Sequence, residues 1–204
     1  TGQYAAMGIL AALLERGDTG KGRRLDISML EAMTHFNLDS FTHYFSVGEI
    51  MGPLSRPVVS QSYTFDCGDG KWIAIHMSSP TKFWDGLLEA TGQQKLNEDP
   101  RFNERMGRIE HQDELIEIFT PVFKTASRDA WCDRLLKAGV PHSPAYDSNE
   151  ALEDPQAKHL GIKVSAEHPE MGPFTTVRPP YSFDGEAAKT VLPPPTLDEH
   201  GEEL

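Results

Sequence analysis

The chain has 204 residues, 38% of them apolar, and a formal net charge of −12. That is enough apolar material for one large or two small globular domains, while the acidic balance excludes nucleic-acid binding, which needs clustered Lys and Arg. No apolar run reaches the roughly twenty residues of a membrane-spanning helix, no secretory leader is recognisable, and two widely spaced cysteines, Cys67 and Cys132, suit a reducing cytoplasm better than a disulfide framework or a metal site.

In chain order, Thr1 is placed to cap a helix over residues 4–14 that is apolar on every side, with Gly17 as its stop. A helix without a polar stripe has to be packed all round. Gly20 and Gly22 turn the chain, residues 23–27 read as strand, and Ser28 with Glu31 forms a capping box. The box opens a helix whose apolar positions Met29, Met33, Phe36, Phe41, Tyr44 and Phe45 recur at three- and four-residue spacing until Gly48. Residues 48–60, rich in Gly and Pro, read as a linker.

Period-two alternation follows: Tyr63, Phe65 and Cys67, a turn at Gly68-Asp69-Gly70, and a return over residues 72–77 predict a β-hairpin. Ser79 and Pro80 open a helix carrying Phe83, Trp84, Leu87 and Leu88, stopped by Gly92. Another spans residues 108–123, with Pro121 expected to kink or split its last turn. Ser127 caps a third, bearing Trp131, Leu135 and Leu136. Beyond residue 144, Asp154-Pro155 starts a short helix ended by Gly161, and two short strands flank a turn at residues 168–172. From Pro179 onward, prolines and acidic residues dominate, and such a segment builds no core of its own.

One ordered set of motifs runs through these elements: Gly8 to Arg16, Thr19-Gly20-Lys21-Gly22, Leu25 to Ala32, Asp69-Gly70-Lys71-Trp72, Asp99-Pro100-Arg101-Phe102, Ala138 to Pro141, Asp154-Pro155-Gln156, His168-Pro169 with Gly172, and Leu197 to His200. In this order they resemble the family III coenzyme A transferases of CaiB/BaiF type, which include formyl-CoA and carnitine-CoA transferases and α-methylacyl-CoA racemases. The family is α/β, and its signature lies mid-chain, after a nucleotide-fold half. The resemblance therefore implies that this chain corresponds to the C-terminal half of such an enzyme. As a fragment it reads as α+β: residues 1–47 as the helical part of the large domain, 48–60 as linker, 61–144 as a small α+β domain, and 145–204 as returning linker and C-terminal arm. The resemblance further implies a homodimer of interlocked chains, with the nucleotide end of coenzyme A held mostly outside this chain.

What the resemblance implies chemically is movement of CoA between carboxylic acids through an aspartyl intermediate. The alternatives are an acyl-CoA racemase of the same family and a non-catalytic dimerisation or scaffold module. No aspartate here carries the family's nucleophile motif, so no residue is assigned a catalytic role; Asp26 and Asp69 read as structural, beside a helix cap and in a hairpin turn. The family's glycine-rich loop before the hairpin is replaced by residues 56–61, of which Ser60 and Gln61 are the candidates for contact with an acyl thioester. His76, in a strand, is a further cleft candidate or a structural histidine. The remaining histidines lack ligand spacing, so neither metal nor cofactor is expected beyond the acyl-CoA substrate.

Overall fold

Alternating burial builds the centre of the fold. In the computed structural model, which describes residues 1–52, 55, 60–78, 81–188, 191–199 and 201, β1 (Ser62–Asp66) and β2 (Trp72–His76) bury Tyr63, Phe65, Ile73 and Ile75 and turn Thr64 and His76 outward. The strands pair antiparallel with Phe65 opposite Ile73 and Ser62 opposite His76. A third strand, β3 (His142–Ala145), joins the other edge of β2 in the order β1-β2-β3. It is four residues long and contains Pro144, so no alternation marks it in the sequence; an edge position tolerates the proline's missing N–H.

Helices cover the inner face of this sheet. They are α4 (Lys82–Thr91), α5 (Arg105–Glu110), α6 (Gln112–Phe123) and α7 (Arg128–Lys137), with a 3-10 turn at Gln94–Glu98. Phe65 stacks on Phe123 with ring centroids 4.5 Å apart, and Trp131 lies 4.8 Å beyond and donates its indole N–H to the Phe123 carbonyl at 2.7 Å. The cluster of buried apolar residues around them is drawn from Tyr63 to Val140. α4 crosses the end of α7 so closely that a Cβ on Gly86 would stand 2.5 Å from the Ala138 carbonyl oxygen. The residues expected to cap α4, Ser79 and Pro80, lie outside the described residues.

Pro121 does not split its helix. The break falls instead at His111, between α5 and α6, while α6 runs on through Pro121 to Phe123. Phe119 and Phe123 are fully buried on one face of that last turn, and their burial outweighs the one helix hydrogen bond that proline removes.

The opening segment has α1 (Gly2–Thr19), α2 (Met29–Phe36) and α3 (Leu38–Val47). α1 passes through Gly17 and ends at Gly20, whose φ of 68° lets its N–H reach the Arg16 carbonyl at 2.8 Å. Thr1 makes no side-chain cap. Residues 20–28 pair with no strand among the described residues, so the strand expected over residues 23–27 is not formed. Ser28 does cap α2, accepting the Glu31 N–H at 3.1 Å and donating its hydroxyl to the Glu31 carboxylate at 2.6 Å. The single helix expected to Gly48 is interrupted at Asn37, whose side-chain amide bonds the Met33 carbonyl at 2.9 Å. Ala32 is the buried residue of these helices, whereas Leu14, Leu30 and Phe45 are each more than three-quarters exposed.

Past β3 come α8 (Ser148–Glu153) and α9 (Pro155–His159), then the hairpins β4 (Lys163–His168) with β5 (Gly172–Val177) and β6 (Ser182–Phe183) with β7 (Glu186–Ala187). Asp147 and Glu150 form a complete capping box on α8, which the sequence reading passed over. His168 is buried and its Nδ1 accepts the N–H groups of Glu170 and Met171, each at 3.1 Å, closing the β4–β5 turn. α8 is tied to the sheet by charge: Glu150 receives a two-pronged bond from buried Arg128, at 2.8 and 2.9 Å, and the Lys71 ammonium at 2.8 Å. No helix among the described residues is long and apolar enough to cross a membrane.

Two outcomes follow. Phe123→Ala removes the middle of the aromatic stack and is expected to cost about 3–5 kcal/mol in urea unfolding. Arg128, then Lys71, hold the Glu150 carboxyl down at about 2 from an ordinary 4.5. A carboxyl depressed in the folded state stabilises above its unfolded pKa and loses that contribution as pH falls. The wild-type urea midpoint is therefore expected to drop between pH 4.5 and 2, and Glu150→Gln to lower it at neutral pH while flattening that acid limb.

Candidate functional site

Ser60, just before β1, lines a cleft of about 450 Å³. Asp39 and His43 of α3 line it from the other side with Glu49 and Met51, and Ser55, Ser78 and Arg105 complete the lining. Asp39 and His43 are four residues apart and so share one helix face. His43 Nε2 lies 3.1 Å from a Glu49 carboxylate oxygen. The acidic and imidazole groups, Asp39, His43 and Glu49, were not singled out in the sequence; the four-residue spacing of Asp39 and His43, just before the Gly48 cap, is the signal that was available.

Behind Ser60 runs a chain of hydroxyls. Its Oγ is 2.9 Å from Ser62 Oγ, which is 3.1 Å from Nδ1 of His76. His76 sits on the outer face of the sheet and does not line the cleft that Ser60 lines. Arg105 also borders a second hollow of about 600 Å³ beside Trp84 and Arg108. There the buried Arg108 guanidinium lies 4.7 Å above the Trp84 ring and donates to the Phe102 carbonyl at 2.8 Å; burial lowers its pKa.

CoA-transferase family III matches residues 1–201, which is nearly the whole chain. The chain belongs to this family. Among its relatives are the (R)-2-hydroxy-4-methylpentanoate CoA-transferase of Clostridioides difficile, 25% identical over 100% of this chain and 51% of its own length, and the succinyl-CoA–D-citramalate CoA-transferase of Chloroflexus aurantiacus, 29% identical over 83% of this chain and 42% of its own. A CaiB/BaiF family protein from Brucella suis has the same fold, with a TM-score of 0.82 and 27% identity over 100% of this chain and 52% of that one. The chain spans about half the length of the curated relatives it matches.

In this family III chain the two expected contact residues part ways. Ser60 lines the cleft, whereas Gln61 is 1% exposed and lies beside buried Tyr63. Its backbone has φ 50°, unusual for a residue with a Cβ, and its carbonyl accepts the Met77 N–H at 3.2 Å. Neither its Nε2 nor the nearby buried Tyr63 hydroxyl has a hydrogen-bond partner of regular geometry among the described residues. Burial pushes the Tyr63 pKa up to about 12, against a smaller opposing effect of the Gln61 amide. Both cysteines are free thiols; burial first and then Asp69 raise Cys67 to about 11, which leaves it a core side chain.

A buried hydroxyl held only by the irregular contact with the Gln61 amide costs stability that its removal restores. Tyr63→Phe is therefore expected to keep or raise the urea midpoint, by up to about 1 kcal/mol. A loss of more than that would reveal a partner for the hydroxyl that the geometry lacks.

Proposed function

We propose that this chain is the C-terminal portion of a cytoplasmic family III CoA transferase that moves CoA between carboxylic acids. The observation that carries the reading is the family match over residues 1–201 together with relatives that are CoA-transferases about twice this length. In the proposed reaction an aspartate carboxylate from the preceding half attacks the thioester carbonyl and expels the CoA thiolate, leaving a mixed anhydride. The thiolate then attacks the aspartyl carbonyl of that anhydride, releases the first acid and forms an aspartyl-CoA thioester. The acceptor carboxylate reverses the sequence and leaves with CoA. No cofactor is needed, because the thioester itself supplies the leaving group.

In this reading residues 61–144 are the small domain that closes over the acyl group, with Ser60 at its edge. Residues 1–47 belong to the large domain, residues 48–60 link the two, and residues 145–204 return as the arm of a homodimer. The bare apolar residues of α1 to α3 support that division, since exposed apolar surface of this extent marks an interface.

The chain by itself is expected to show no turnover with a panel of acyl-CoA thioesters and carboxylate acceptors, and no α-proton exchange in deuterated water. Co-expression with the polypeptide encoded upstream in the same reading frame is expected to restore transfer. Turnover by the isolated chain, abolished by Asp39→Asn or Glu49→Gln, would place the nucleophile in the cleft described here and overturn the proposal.

A further inference from the structure

The dipeptide Asp-Gly occurs three times in the chain, at residues 69–70, 85–86 and 184–185. It is open to attack by the main chain on its own side chain, because glycine has no Cβ to shield its amide nitrogen. In that attack a bond forms between the glycine nitrogen and the aspartate Cγ, and the carboxyl hydroxyl leaves as water with the amide proton, closing a five-membered succinimide. Water then adds to the aspartate main-chain carbonyl and breaks its bond to the glycine nitrogen, so the chain runs on through Cγ as isoaspartate. The sequence is redox-neutral and needs no reactant but solvent water. It requires a glycine N–H outside any hydrogen bond, a carboxyl that nothing holds, and an aspartate backbone able to rotate until the nitrogen faces Cγ. We propose that the fold leaves one of the three steps, Asp184-Gly185, as a site of isoaspartate formation and withholds the other two.

Asp69-Gly70 is exposed but tied at every point the reaction uses. The Gly70 N–H donates to the Cys67 carbonyl at 3.0 Å, and the Asp69 carboxylate accepts the Lys71 N–H at 3.3 Å and the Arg128 N–H at 3.1 Å. Asp85-Gly86 lies within α4, whose ladder holds the Gly86 N–H. Rotating it would unwind a helix that buries Gly86, Leu87 and Leu88, and the Asp85 carboxylate accepts the Asn97 amide at 3.3 Å. Asp184-Gly185 forms the two-residue loop between β6 and β7, with φ of 52° and 83°. In such a loop the central N–H stands outside the ladder, and among the described residues the Gly185 N–H and the Asp184 carboxylate have no partner. The hairpin pairs only Ser182 with Ala187 and Phe183 with Glu186, and Ser182 to Glu186 are exposed. Two-stranded ribbons of this size are marginal in water, so it opens with little cost. On opening, Asp184 also leaves a left-handed conformation that is unfavourable for a residue with a Cβ. Isoaspartate adds a methylene to the main chain in a loop whose length sets the register, so β6–β7 pairing is lost once it forms.

The test is to age the full chain at neutral pH, with a parallel sample in urea, and to measure isoaspartate at residues 69, 85 and 184 by peptide separation and electron-transfer fragmentation. Methyl transfer from labelled S-adenosylmethionine by a protein isoaspartyl methyltransferase gives a second readout of the same product. In the folded chain isoaspartate is expected to accumulate at residue 184 at least about tenfold faster than at residues 69 or 85, since their reaction waits on the breaking of hydrogen bonds or of a packed helix. In urea, where the three steps differ only in flanking sequence, the rates are expected to converge. Asp184→Glu, whose side chain would have to close a six-membered ring, should remove most of the product from the folded chain and leave residues 69 and 85 as they were. Absence of isoaspartate at residue 184 of the folded chain, or its formation at residue 69 or 85 at an equal or greater rate, would overturn the proposal. A preference for residue 184 that persists undiminished in urea would overturn it as well, by assigning the preference to local sequence and not to the fold.

Discussion

The parallel stack of Phe65 on Phe123, continued by Trp131, is the contact on which the three-stranded sheet and its covering helices depend. It joins the hairpin to two neighbouring elements far along the chain, the end of α6 and the middle of α7. Because Phe65 points inward, period-two alternation turns Ser62, Thr64 and His76 outward. The stack therefore fixes which face of the sheet carries polar chemistry. The indole bond to the Phe123 carbonyl adds direction to a contact that burial alone would leave free to slide.

Charge organises the opposite end of the sheet. Arg128 is almost fully buried, and its cost of desolvation is offset by the two-pronged Glu150 carboxylate and the Tyr146 ring 5.0 Å away. Lys71 of the hairpin joins the same carboxylate, and Asp69 of the turn accepts the Arg128 backbone N–H at 3.1 Å. One cluster thus clamps the hairpin turn, α7 and α8 together.

The opening helices obey a different constraint. α1 to α3 carry the apolar content of a protein interior, yet Ala32 is their buried residue. Exposed apolar surface of this extent marks an interface. In the proposed full enzyme its partners are the preceding half and the second chain, and the cleft lined by α3 and Ser60 is then one wall of a larger site.

Local rules written in neighbouring residues were legible from the sequence. The Tyr63-Phe65 alternation, the Gly48 and Gly92 stops, the Ser28 and Ser127 caps and the Asp154-Pro155 start are each decided within a few residues, by backbone sterics or a single hydrogen bond. The ordered motifs carried the family for the same reason, since order along the chain needs no folding to be read. Tertiary contacts decided the rest. Pro121 stays helical because Phe119 and Phe123 are buried beneath it, and β3 is a strand only because the edge of β2 is there to pair with. Gln61 and Ser60 are adjacent in sequence and equally polar, yet one is buried at a positive φ and the other lines the cleft. The cleft groups Asp39, His43, Glu49 and Arg105, and the line from His76 to Ser60, come from segments that propensity cannot bring together; that depends on which faces the aromatic core pulls inward.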